Sequence, residues 1–492
     1  MNHVVEAGAT AGRRLPSRPR LAGMGTPSSL RRDERQWAVD HPIAGVTVMF
    51  GLLVAILLVP VDVEPRDALR LPAAIFSISL CLVPVVTAFR DPKSIFRAEH
   101  ILAMAPVYWL LLDPVQGRFE LRGVERDAVQ LSLIAIAIFT CGAWVAFLQR
   151  PWRTPTFIWS AAKVELPSDV CFGIGIMAFT LAFMKYAIPS GFDFVAMAQA
   201  LGGGRWEGAW GRGLLGGTDA FLDHLSYFGY VLPSLTVLLA QRMGWASVRP
   251  ISLGIGTLIL SAFILHDGGR RLLGMLFGSG LVFWFLAKPK VRLSALIGVA
   301  VVVFGLLFIM EQVLQYRKVG VVAMFDSDRA PERELDENGV LIRVDDNFVR
   351  LAQTTAIFPD QHPYTTWRYL LWVAVRPVPR LFWPEKPLNP GFDLPQFLGM
   401  RGVSLSSSVI GELFMAGGLL AVALGGWFYG RLARSLSQLL ADARTSSALL
   451  IYSIGLFAIF IGLRSMIELV LMSYIILAWV GLVHAYTGFR RR

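Results

Sequence analysis

Twelve apolar runs constrain this chain more than any other feature. They are Ile43–Val61, Leu71–Phe89, Ile101–Leu112, Ala128–Leu148, Val170–Ile188, Leu225–Gln241, Ile251–His266, Leu272–Ala287, Leu293–Met310, Val409–Phe428, Ala448–Leu463 and Met466–Tyr486. The hydrocarbon core of a bilayer is about 30 Å thick, and a helix crosses it in about 20 apolar residues. Backbone polar groups in lipid must be bonded within their own segment, so such runs predict helices. The run at Ile101–Leu112 is short and needs Phe96–His100 to span. Composition agrees: 55% of the 492 residues are hydrophobic and only 16% charged, against about 25% charged in soluble proteins. The expected class is all-α, a polytopic integral membrane protein of about 12 transmembrane helices. A soluble multidomain enzyme and a disordered or fibrous chain are excluded.

The formal charge of +11 does not point to nucleic acid, because the positives sit in short segments between apolar runs. Those segments alternate. Arginines crowd the N-terminal tail and recur as Arg90, Lys93 and Arg97, as Arg150, Arg153 and Lys163, and as Lys288, Lys290 and Arg292. They close with Arg431, Arg434 and Arg444, then Arg490, Arg491 and Arg492. The other set is poorer and mixed with acids, as in Asp62–Arg70. The positive-inside rule therefore puts both termini in the cytoplasm, in parity with twelve spans. The expected organisation is a disordered basic tail over 1–42, spans one to nine over 43–310, a large outer loop over 311–406 and spans ten to twelve over 407–492. Cys81, Cys141 and Cys171 lie in or beside apolar runs and read as packing residues, with no CxxC pair to hold a metal.

The outer loop carries 11 basic and 12 acidic residues, and a structureless loop of that length is improbable unless functional. Asp345-Asp346-Asn347 is a cap for a helix with Phe348, Leu351, Ala352 and Thr355 on one face, ended by Pro359. The run TTWRYLLWVAV is too short to span. Its Trp and Tyr content suits a membrane interface or a helix packed over the spans. Five prolines from Pro377 to Pro390 forbid a helix. They are expected to hold Arg376, Arg380 and Lys386 in a semi-rigid segment suited to an anion.

Further charges sit at the outer ends of spans. His266, Asp267, Arg270 and Arg271 occupy the turn between spans seven and eight. Arg464 lies in the last outer turn, four residues before Glu468, a spacing that pairs them on one helix face. Glu412, Lys185 and Arg317 lie at or beyond other outer ends. Charges in a membrane are costly and usually have a partner or a function. Arginine binds phosphate bidentately, so the set suits a lipid pyrophosphate; the plainer reading is that each arginine meets ordinary lipid phosphate or a neighbouring carboxylate. No GxSxG, HExxH or Walker A sequence competes. The glycines of IGELFMAGGLLAVALGGWFYG read first as close helix packing.

The stretches VPRLFWPEKP at Val378–Pro387 and SSSVIGELFMAGGLLAVALGGWFYGRLAR at Ser406–Arg434, with the GGRR turn before span eight, resemble the O-antigen polymerase (Wzy-type) family of oligosaccharide repeat-unit polymerases. Arg380, Trp383, Pro384, Lys386, Pro387, Gly411 and Glu412 occupy that family's motif positions, whereas its G-S-R-G turn reads Gly268-Gly269-Arg270-Arg271 here. The resemblance implies a GT-C-like membrane glycosyltransferase that needs no metal or cofactor. Its substrates would be undecaprenyl-pyrophosphate-linked oligosaccharides. Arg270, Arg271, Arg380 and Arg464 would act on the leaving pyrophosphate, with Glu412 as a candidate base. Arg317, Arg376, Trp383, Lys386 and His266 would contact substrate. Expected partners are membrane lipids, a chain-length regulator and a flippase. The alternatives are an O-antigen ligase-type transferase, a transporter or flippase of lipid-linked sugars, and a non-catalytic scaffold.

Overall fold

A computed structural model describes residues 27–117, 121, 123–204, 208–211, 217–267, 269–315, 342, 344, 346–376, 378, 383–387, 390–400 and 405–491, without the side chains of 27–41, 211, 217–220, 270, 310, 312–315 and 491. The described residues are all helix and loop, with no strand. In chain order the helices are α1 (Pro27–Leu58), α2 (Arg70–Arg90), α3 (Ala98–Pro106), α4 (Leu112–Val115), α5 (Arg126–Leu148), α6 (Thr156–Ala162), α7 (Ser168–Ala187), α8 (Phe194–Gly202), α9 (Gly217–Ser226) and α10 (Leu232–Met243). They continue with α11 (Val248–His266), α12 (Arg270–Ala287), α13 (Leu293–Gln315), α14 (Asn347–Ile357), α15 (Trp367–Val375), α16 (Leu394–Phe397), α17 (Ser408–Ala443), α18 (Ser446–Gly462) and α19 (Met466–Arg491).

Among the described residues six helices are long and apolar enough to cross a membrane: α2, α5, α7, α11, α17 and α19. Shorter apolar helices cover Pro42–Leu58, Arg271–Ala287, Leu293–Ile309 and Ser446–Gly462. The two remaining apolar runs are composite. Ile101–Leu112 falls on α3, a π-turn at Val107–Leu111 and α4, while Leu225–Gln241 falls on α9, a 3-10 turn at Tyr227–Val231 and α10. In the expected disordered tail, α1 instead begins at Pro27, so residues 27–42 are helical.

The centre of the bundle is α5 against α17. Close approach depends on glycine: a Cβ on Gly430 would lie 2.6 Å from the Ala143 carbonyl oxygen, and one on Gly142 would lie 2.7 Å from that of Ala423. The expectation of close helix packing thus holds at these positions. It fails at Gly417 and Gly418, where α17 breaks. Gly418 has φ +63° and ψ −155°, a region essentially reserved for glycine, and a Cβ there would meet the Tyr364 hydroxyl at 2.7 Å. The N-terminal part of α17 folds back on the rest, with Leu413 packed on Gly425. The break frees carbonyls that the segment between α14 and α15 satisfies. Thr365 N–H donates to Met415 O at 2.9 Å and Thr366 N–H to Ala416 O at 3.0 Å.

The described residues between α13 and α17 therefore form a folded cap on the bundle. Phe348, Leu351, Ala352 and Thr355 are buried on α14 as their spacing predicts, although Asp346 takes a left-handed conformation and its side chain caps nothing. On α15 Tyr369 and Val373 pack inward while Trp367, Leu370 and Leu371 are exposed, so this helix combines both readings of its sequence.

Candidate functional site

The turn Leu463–Ser465, between α18 and α19, is the floor on which the cap is anchored. Val409 N–H donates to Leu463 O at 2.9 Å, and Ser406 Oγ donates to Arg464 O at 2.6 Å. Glu412, only 6% exposed, accepts from Ser465 Oγ at 2.6 Å and from Met466 N–H at 2.7 Å. The Tyr369 hydroxyl joins the same carboxylate; burial, with Glu412 beside it, holds that phenol well above its ordinary pKa, so it stays a donor. A carboxylate engaged in this way anchors the fold. Both Glu412 oxygens accept from the turn that positions the cap.

Next to this anchor two arginines from separate elements meet. Arg271 Nη2 lies 3.1 Å from Glu468 Oε1, and Arg464 Nη1 lies 3.7 Å from the same oxygen. The pairing of Arg464 with Glu468 follows from their spacing; the arrival of Arg271 on the same atom does not. Two guanidinium groups on one carboxylate leave a positive charge, and Arg271 adds to it by standing in the first turn of α12, where the helix dipole is also positive. Each phosphate–guanidinium contact near 4 Å is worth roughly 4 kcal/mol at an effective dielectric of about 20.

A second cluster adjoins the first. Lys185 Nζ lies 3.1 Å from Asp223 and 3.3 Å from Asp267, and Trp210 Nε1–H donates to Asp267 at 3.0 Å. Burial alone would raise the Asp267 carboxyl, but His266, Lys185 and Trp210 more than offset that and hold it below the usual carboxylate range. His266 is buried, with Nδ1 3.8 Å from Asp267 and its ring edge-on to Trp210. Tyr227 sits between the clusters, within electrostatic reach of Glu468, Asp223, Lys185 and Arg271.

Arg271 also borders a cavity of about 1010 Å³ walled by α10, α11, α12, α13 and α18. Phe277, Trp284, Val299, Leu306 and Phe457 contribute to its lining, and among the lining residues Arg271 alone is charged. An apolar hollow with a guanidinium at its rim fits an amphiphile with an anionic head and a long apolar chain.

The structure brings together Arg271, Arg464, Glu412, His266 and Lys185 from the expected set. It does not bring Lys386 there as a ligand-facing cation. That side chain is 5% exposed and its ammonium donates to the carbonyls of Arg376 at 2.9 Å and Val378 at 2.8 Å, pinning the Pro-rich segment from within. Arg376 is exposed and lies over the Trp372 ring at 5.4 Å, and Trp383 is 40% exposed. The side chain of Arg270, and all of Arg317 and Arg380, lie outside the described residues. Sequence reading passed over Asp223, Tyr227, Ser465 and Tyr369. Asp223 carried a signal, as an acid just ahead of an apolar run; the others look like ordinary interface residues. Among the described residues no group of three or more His, Cys, Asp or Glu is placed to hold a metal ion. No family model matches the chain, and neither a curated protein nor a solved structure matches it.

Proposed function

We propose that the protein is a membrane glycosyltransferase that polymerises undecaprenyl-pyrophosphate-linked oligosaccharide repeat units at the outer leaflet of a bacterial cytoplasmic membrane, in the making of O-antigen or exopolysaccharide. The observation that carries this reading is the convergence of Arg271 and Arg464 on Glu468 Oε1 at the rim of the apolar cavity. A pyrophosphate on a lipid chain suits both halves of that arrangement. In the reading, twelve spans form a GT-C-like bundle with both termini cytoplasmic, and the cap lies over the outer leaflet.

The reaction joins an acceptor hydroxyl oxygen to the anomeric carbon of the donor sugar. The bond from that carbon to the pyrophosphate breaks, and undecaprenyl pyrophosphate leaves with the electron pair. Arg271 and Arg464 stabilise the charge it gains, a preorganised electrostatic contribution. With both Glu412 oxygens engaged, the acceptor proton goes to His266, a buried imidazole whose Nδ1 lies 3.8 Å from the Asp267 carboxylate. The partners in this reading are a flippase that supplies the lipid-linked repeat unit and a chain-length regulator.

The test is polymer formation by purified protein from a defined lipid-linked oligosaccharide, paired with Arg380→Ala in cells. That variant, expressed at parental level, is expected to abolish polymer while single repeat units still reach the surface. Polymer of normal length would remove Arg380 from the mechanism, and loss of surface repeat units would favour a flippase. A broken helix is a feature of transporters, but the break in α17 is filled by the backbone of Thr365 and Thr366. Orientation is tested separately: a cysteine at Asn338 is expected to react with an impermeant thiol reagent from outside the cell. Protection there would overturn the topology.

A further inference from the structure

We propose that Gly274 and Gly298 keep the cavity open at its two ends for a polyprenyl chain, and so determine how much of that chain it accepts. The proposal rests on the lipid-linked substrate read above. Two other glycines of the cavity wall are packed: a Cβ on Gly280 would lie 2.7 Å from Pro233, and one on Gly278 would strike the Phe457 ring, while one on Gly254 would make an ordinary contact with Thr236 at 3.8 Å. A Cβ on Gly274 or Gly298 would meet no atom within 4 Å, although both residues line the cavity. Glycine inside a helix weakens it. At these two positions no neighbouring side chain gains from the missing Cβ, whereas a guest in the cavity does.

The two positions lie toward opposite ends. Gly274 is one helical turn beyond Arg271 on α12. Gly298 lies early in α13, just after the Lys288–Arg292 turn, near the end lined by Trp284. From Arg271 to Trp284 the wall runs about 20 Å at roughly 1.5 Å per residue. The far wall is one-sided: Val299 and Leu307 face the cavity, while Ile297, Val301, Phe304 and Phe308 on the same helix are exposed. A chain whose head is held at Arg271 therefore passes Gly274 first and reaches Gly298 only if it is long.

The experiment measures binding of geranyl phosphate, undecaprenyl phosphate and dodecyl phosphate to the full-length protein in nanodiscs by native mass spectrometry. Gly298→Leu is expected to weaken undecaprenyl phosphate at least tenfold and leave geranyl phosphate within twofold. Gly274→Leu is expected to weaken both at least tenfold, and Gly298→Ala is expected to bind like the parent. At both positions a Cβ meets no atom within 4 Å, and a monodisperse profile with parental helicity checks the fold. Parental undecaprenyl phosphate binding in both leucine variants would overturn the proposal. So would a uniform loss of both polyprenyl lipids in Gly298→Leu, or dodecyl phosphate bound as tightly and with the same dependence on Gly298. Because binding needs no turnover, the expected pattern in a protein that makes no polymer would sink the polymerase reading alone. Polymer formation by variants that bind all lipids normally would sink the glycine proposal alone.

Discussion

Arg271→Ala is expected to lower kcat for oligosaccharide transfer by about 10²–10³-fold, the effect of removing one preorganised donor from a developing anion. The guanidinium stands 3.1 Å from Glu468, and on the proposed function a pyrophosphate arriving at the cavity rim would compete with that carboxylate for it. Arg271→Lys is expected to recover only part of the rate, because an ammonium cannot present two parallel donors. Arg464→Ala is expected to act in the same direction. The double variant should cost less than the product of the two single effects, since both groups serve one anion. Initial-rate kinetics on purified variants with a lipid-linked donor measures this. Parental kcat in Arg271→Ala together with a lowered melting temperature would reduce the pair to a brace between α12 and α19.

Glu412→Ala is expected to be the most destabilising single change in the cap, at roughly 3–5 kcal/mol. It leaves the Ser465 hydroxyl and the Met466 N–H buried without an acceptor, and each such group costs about 1–3 kcal/mol. It also releases the Tyr369 hydroxyl. Glu412→Gln retains an acceptor oxygen and most of the volume, and should cost about half as much. Unfolding in detergent measures both. Transfer by the folded Gln variant then separates an anchor from a base. A kcat within about threefold of the parent is expected, and a collapse of kcat at parental stability would restore Glu412 to the chemistry.

The legible part of the fold was the part written in local pattern. Each of the twelve apolar runs coincides with helix, and the face of α14 was readable from Phe348, Leu351, Ala352 and Thr355. The break at Gly417–Gly418 was hidden, because paired glycines in an apolar helix read equally as packing and as a hinge. Only Tyr364 and the backbone of Thr365, some fifty residues earlier, decide between them. The candidate site was legible by residue type, in that arginines stood at outer turns. Its membership was less so: Lys386 looked like a free cation and is tied to two carbonyls, while Glu412 holds the Ser465 hydroxyl and the Met466 N–H, partners that no local spacing announces.

The sequence by itself determined the all-helical membrane class, the places where helices form and the turns in which charge is concentrated. Those properties follow from transfer free energies and helix periodicity, which act over a few residues at a time. The tertiary structure alone decided that Arg271 and Arg464 meet on one oxygen, that α17 doubles back under the backbone of Thr365 and Thr366, and that an apolar cavity opens beside the pair. Each of these depends on how helices far apart in sequence pack, and packing is set by shape and by the need to satisfy buried polar groups. No local pattern encodes it.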